Sequence, residues 1–98
     1  MIKKVERIAQ LRELLLRMES ELGLLGLTRF ERDLLYAVRS LAPDGGEVRS
    51  SALRRHKLVE TMTQPTFHRA LRELVDQGYL RRAEGSHAAY CLVARDPQ

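Results

Sequence analysis

The sequence predicts a mainly helical α+β fold of 98 residues, with helices over about 2–22, 28–41, 50–57 and 63–77 closed by a small β-hairpin. Three features predict it. First, Phe67, Leu71, Leu74 and Val75 recur at helical spacing, while Gln64, His68, Arg69 and Arg72 fall on the opposite face. Second, Gly78-Tyr79-Leu80-Arg81-Arg82, Gly85-Ser86 and Ala89-Tyr90-Cys91-Leu92-Val93 read in turn as a helix stop and strand, a tight turn, and a second strand. Third, Ile8, Leu15 and Leu22 repeat every seven residues, with Leu11 and Met18 between them.

In chain order, the heptad pattern makes 2–22 one long helix, ended by Gly23 and Gly26. Its stripe of Ile8, Leu11, Leu15, Met18 and Leu22 is read as a dimer seam, with Lys4 a polar interruption near its start. Thr28-Arg29-Phe30-Glu31 is a capping box opening the second helix. Phe30, Leu34, Val38 and Leu41 are expected on its buried face. Pro43-Asp44-Gly45-Gly46 is a turn, and Glu47-Val48-Arg49 a short strand or extended link. Ser50 or Ser51 is expected to cap a short third helix to about Lys57, with Ala52, Leu53 and His56 or Leu58 inward. Residues 58–62 form a turn, Thr63 caps the fourth helix, and Pro65 is tolerated in its first turn. Strands over about 79–84 and 87–93 then pair through a two-residue turn at Gly85-Ser86. The resulting division is 1–26 as a dimerisation helix, 27–94 as the main domain and 95–98 as a loose tail.

The net charge is +4, and it is unevenly placed. Between 49 and 82, eight basic side chains (Arg49, Arg54, Arg55, Lys57, Arg69, Arg72, Arg81, Arg82) face three acidic ones (Glu60, Glu73, Asp76). That is a local net of +5, leaving −1 for the remainder of the chain. A concentrated basic face is the electrostatic footprint of phosphate binding. Gln and Arg, the side chains that pair bidentately with adenine and guanine, stand on the polar face of the fourth helix.

This order of elements resembles the winged helix-turn-helix transcriptional regulators of bacteria, in particular the MarR-like group. The residues carrying the resemblance are Leu27-Thr28, Thr63-Gln64-Pro65-Thr66-Phe67-His68-Arg69-Ala70-Leu71, Leu74, Gly78-Tyr79-Leu80 and the strand from Tyr90 to Val93. The resemblance implies a recognition helix whose Thr63, Gln64, His68, Arg69 and Arg72 read bases. The backbone contacts would come from Arg54, Arg55, Lys57 and the wing residues Arg81, Arg82, Ser86 and His87. Two departures stand out. Glu60-Thr61-Met62 occupies the turn where a glycine is common. The C-terminal helices that dimerise that group and help enclose an effector pocket are not read after the wing, so dimerisation is expected to fall to helix 2–22 and any small-molecule effector is unknown.

The expected function is therefore sequence-specific binding of double-stranded DNA by a homodimeric regulator, with a winged-helix protein-interaction adaptor as the alternative. An adaptor would show apolar anchors on the face that here carries Gln, His and Arg. RNA binding would want exposed aromatic rings. Catalysis has no nucleophile–base pair or carboxylate dyad to support it, no cofactor is indicated, and His56, His68 and His87 are not spaced as metal ligands. Cys91, the lone cysteine, reads as a small core residue, and a redox role would need activation by His87 or the nearby arginines. The first residues lack a secretion signal, and no apolar run is long enough for a membrane span. The expected location is cytoplasmic, and the excess of Arg over Lys points to a GC-rich bacterial genome.

Overall fold

A computed structural model of the chain describes residues 1–85 and 88–93. Helix α1 spans Ile2–Glu21, α2 Arg29–Leu41, α3 Ser50–Arg54 and α4 Gln64–Asp76. Strands β1 (Val48–Arg49), β2 (Leu80–Arg82) and β3 (Ala89–Leu92) form one antiparallel sheet in the order β1-β3-β2. The architecture is mainly helical α+β, and no helix among the described residues is long and apolar enough to cross a membrane.

Local chemistry sets the helix ends. Gly23, in the left-handed region, follows α1. At α2 the Glu31 amide donates to Thr28 Oγ1 and the Thr28 amide donates to Glu31 Oε1, at 3.2 and 2.8 Å, completing the capping box. Thr63 Oγ1 accepts from the Thr66 amide at the start of α4. Gly78 ends α4 with φ of 82°, and the amides of Gly78 and Tyr79 donate back to Val75 and Leu74. This is a Schellman ending, which a side chain at 78 would strain.

The core lies between α2, α3, α4 and the inner face of the sheet. Leu34, Ala37 and Val38 of α2 pack with Leu53, Val59, Phe67, Leu71, Leu74, Leu80 and Tyr90. The inward side of α2 is Leu34, Leu35, Ala37 and Val38, whereas Phe30 and Leu41 are 47% and 44% exposed. The buried face is turned toward Glu31 and Leu35, which puts Phe30 and Leu41 at its edge although Leu27 and Ala42, beyond them, are buried. Leu58 is likewise exposed at 41%, and its neighbour Val59 fills the core from the turn instead.

Two further expectations change. No serine caps α3: its N-cap is Arg49, and the Ser50 amide donates to the Ala88 carbonyl at 2.7 Å. That backbone is committed to the sheet, and α3 stops at Arg54. The hairpin register also differs. A two-residue turn at Gly85-Ser86 would set Arg82 against Ala89; the pairing sets Arg82 against Tyr90, so the connection holds one residue more. Ser86, His87 and the expected tail at 95–98 lie outside the described residues.

Candidate nucleic-acid interface

Helix α4 is divided lengthwise. Phe67, Ala70, Leu71 and Leu74 are buried, and Gln64, His68, Arg69 and Arg72 are exposed. The apolar stripe fixes the helix against α2, so the four polar side chains are held outward by the same packing. The His68 ring meets the Phe67 ring edge-on at 5.4 Å. Thr63 is exposed but its hydroxyl is engaged: it accepts from the Thr66 amide and donates to Thr66 Oγ1 at 2.9 Å.

The turn before α4 brings further basic groups to the body. Arg55 and Lys57 are exposed. Arg54 is different. Its Nη1 donates to the Met62 carbonyl at 3.0 Å, and its guanidinium lies 4.9 Å from the centre of the Phe67 ring. It ties α3 to the start of α4, and its charge is spent partly on that join. His56 Nδ1 accepts from the Leu58 amide at 3.1 Å, which shapes the same turn.

On the sheet, Arg81 sits opposite Cys91 and Arg82 opposite Tyr90. Adjacent strand residues point to opposite faces. Arg81 therefore shares the outer face with Ala83, Ala89 and Cys91, all buried small residues, and with Arg49, which pairs with Ala89. Arg82 lies on the side of Leu80 and Tyr90. Arg49, in the segment expected as a short strand or extended link, is put beside the hairpin by the pairing of β1 with β3, between residues about forty positions apart. Among the described residues, none of Arg49, Arg55, Lys57, Arg69, Arg72, Arg81 and Arg82 is in an ion pair. Ser86 and His87, also expected at this surface, lie outside the described residues. Cys91 is buried. No cluster of three or more His, Cys, Asp or Glu able to hold a metal ion occurs among the described residues.

A second polar centre joins α1 to the body, and nothing in the local sequence pattern marks it. Glu19 is 8% exposed and is the buried residue of α1. Its carboxylate accepts from the Tyr36 hydroxyl and lies 3.5 Å from Arg32 Nε. Arg32 Nη1 in turn donates to the carbonyls of Leu27 at 2.7 Å and Leu24 at 3.3 Å. Burial pushes the Tyr36 hydroxyl well above its usual pKa, and the Glu19 hydrogen bond adds to the rise. Burial also raises Asp33, with Arg29 and Arg32 opposing and Glu19 assisting. Beyond this join α1 and α2 diverge around a cleft of about 560 Å³, lined by Leu15, Leu16, Tyr36 and Leu58 and rimmed by Arg12, Arg29 and Asp33.

The expected seam residues Ile8, Leu11, Leu15, Met18 and Leu22 all lie on the surface of the single chain, between 43% and 60% exposed. No protein-family model, no curated protein and no solved structure matches this chain.

Proposed function

We propose that the chain is a homodimeric, sequence-specific double-stranded DNA-binding protein that regulates transcription in the cytoplasm, with the winged-helix layout of the MarR-like regulators it resembles. The observation that carries this reading is the outward face of α4. It presents Gln64, His68, Arg69 and Arg72 together, on a helix locked by Phe67, Leu71 and Leu74, with no apolar anchor among them. Side chains of this kind on a rigid helix suit the major groove, where Arg reads guanine and Gln reads adenine. Arg55 and Lys57 in the turn before α4 and Arg81 and Arg82 on the hairpin are the candidates for phosphate, and Arg49 shares the outer face of the sheet with Arg81. In this reading Arg54 shapes the turn and contributes mainly through position. The seam of α1 supplies the dimer, since its apolar stripe is uncovered in one chain.

The test is selection of bound sequences from a random duplex pool, followed by affinity across a salt series. An enriched palindrome is expected, and the logarithm of affinity should fall by about 0.9 per phosphate contact against the logarithm of salt. Arg69→Ala and Gln64→Ala should relax sequence preference, each good base contact being worth roughly 1–3 kcal/mol. Arg81→Ala and Arg82→Ala should weaken all sequences alike. No binding at low salt, or a flat salt response, would sink the DNA reading and leave the adaptor alternative.

A further inference from the structure

We infer that the second copy lies antiparallel along α1, so that the N-terminal half of each α1 closes the other copy's cleft between α1 and α2. This rests on the dimer reading above and adds to it a direction and a second contact surface.

Helix α1 carries two apolar strips. One is the seam of Ile8, Leu11, Leu15, Met18 and Leu22. The other, Ile2, Val5, Ala9 and Leu16, lies a little over about a third of a turn further round. Leu16 opens into the cleft beside Tyr36 and Leu58. Ile2, Val5 and Ala9 precede every α1 residue that lines it, and Ile2 and Val5 are 83% and 57% exposed. A dimer made through the seam alone would leave this second strip, and the apolar cleft wall, in water.

Symmetry decides which arrangement covers Val5 and the cleft wall. In a parallel pair the two-fold axis runs along the helices. Both bodies then sit at one end on opposite sides, and Ile2, Val5 and Ala9 stay bare in each copy. In an antiparallel pair the axis is perpendicular to the helices. Both bodies then lie on the same side at opposite ends, each over the N-terminal half of the other copy's α1. The side of that half facing the body carries Val5 and Ile8, beside the open edge of the cleft.

Charge points the same way. Parallel pairing brings Arg7 beside the partner's Arg12, twice by symmetry, and sets Lys4 against its own copy inside the seam. Antiparallel pairing of Ile8 with the partner's Met18 and of Leu11 with the partner's Leu15 brings Arg7 beside the partner's Glu21, again twice. It sets Leu14 against its own copy at the axis. Arg12 then approaches its own copy too, but Glu13, Glu19 and Asp33 of the cleft lining supply opposing charge there.

The experiment mixes full-length Ile8→Cys and Met18→Cys chains and oxidises them, with the wild type as control, since Cys91 is buried. A disulfide joining positions 8 and 18 is expected, because two copies of position 8 are then about 15 Å apart along the axis. A disulfide between two copies of position 8, or a dimer in which 8 and 18 do not join, overturns the antiparallel arrangement and leaves the dimer itself standing. A monomeric wild type in sedimentation removes both. The cleft contact has its own readout. Val5→Glu, off the seam, should weaken dimerisation about tenfold or more while helix content is retained. An unchanged dimer affinity would show that Val5 is not covered and overturn the cleft contact.

Discussion

Replacing Arg54 by Met tests whether this arginine belongs to the fold or to the basic surface. The substitution keeps an apolar stem of similar reach and removes the guanidinium. Two interactions go with it: the charged hydrogen bond to the Met62 carbonyl and the stacking over Phe67. A charge-assisted hydrogen bond contributes about 1.5–3 kcal/mol, and a cation–π contact at a partly exposed site about 0.5–1 kcal/mol. Arg54 is half-buried, so water replaces part of what is lost and the low end of the sum applies. A loss of about 2 kcal/mol is therefore expected, equivalent to a fall of roughly 8–16 °C in Tm for a domain of this size. Arg55→Met, fully at the surface, should stay within about 0.5 kcal/mol. Urea unfolding of both variants, followed by circular dichroism at one fixed protein concentration, gives the comparison, because dimerisation makes Tm concentration-dependent. The same two variants should rank the opposite way in the salt slope of DNA affinity, with Arg55→Met losing more of it. Equal stability of the two variants, or an Arg54→Met variant that loses only salt-dependent affinity, would refute the inward role of Arg54.

What the sequence made legible follows from how local each signal is. The bounds of α1, α2 and α4 depend on periodicity, Thr28, Thr63 and the glycines, all within a turn of the residues they control, and the structure has them within a residue or so. Burial along α2 was less legible. Periodicity gives an apolar face but not the angle at which it docks: the buried face is turned toward Glu31 and Leu35, so Phe30 and Leu41 read as core and stand at the surface. Ser50 read as a cap because the sheet's claim on its amide comes from Ala88, far along the chain. Arg54 was indistinguishable from Arg55 until Phe67 was placed beneath it. The join of Glu19, Arg32 and Tyr36 was invisible for the same reason: each residue alone is an ordinary polar position on an amphipathic helix, and only the angle between α1 and α2 brings them together. The outward face of α4 was legible because the helix and its buried stripe fix it without reference to anything distant.

Two further outcomes follow from local geometry. Thr28→Ala removes the hydroxyl acceptor of the capping box and should cost about 1 kcal/mol in the same unfolding assay, with Thr28→Ser restoring most of it; no loss would mean the box does not hold the start of α2. The last concerns the join of α1 to the body at high pH. Burial and the Glu19 hydrogen bond both favour the neutral Tyr36 hydroxyl, so its pKa in the folded state lies above the unfolded value of about 10. A raised pKa stabilises the fold fully below the unfolded value, and that stabilisation is lost as pH rises from there through the folded value. An ultraviolet titration should show a tyrosine step above the ordinary value of about 10, and Tyr36→Phe should delete that step. The variant should also release α1, seen as faster amide exchange at residues near Glu19, already at neutral pH. In the wild type the same release should begin only above about pH 10, where unfolded tyrosine ionises. If Tyr36→Phe leaves the titration unchanged, the Glu19 contact does not hold α1 against the body, and the join must be carried by Arg32 and its two carbonyl partners alone.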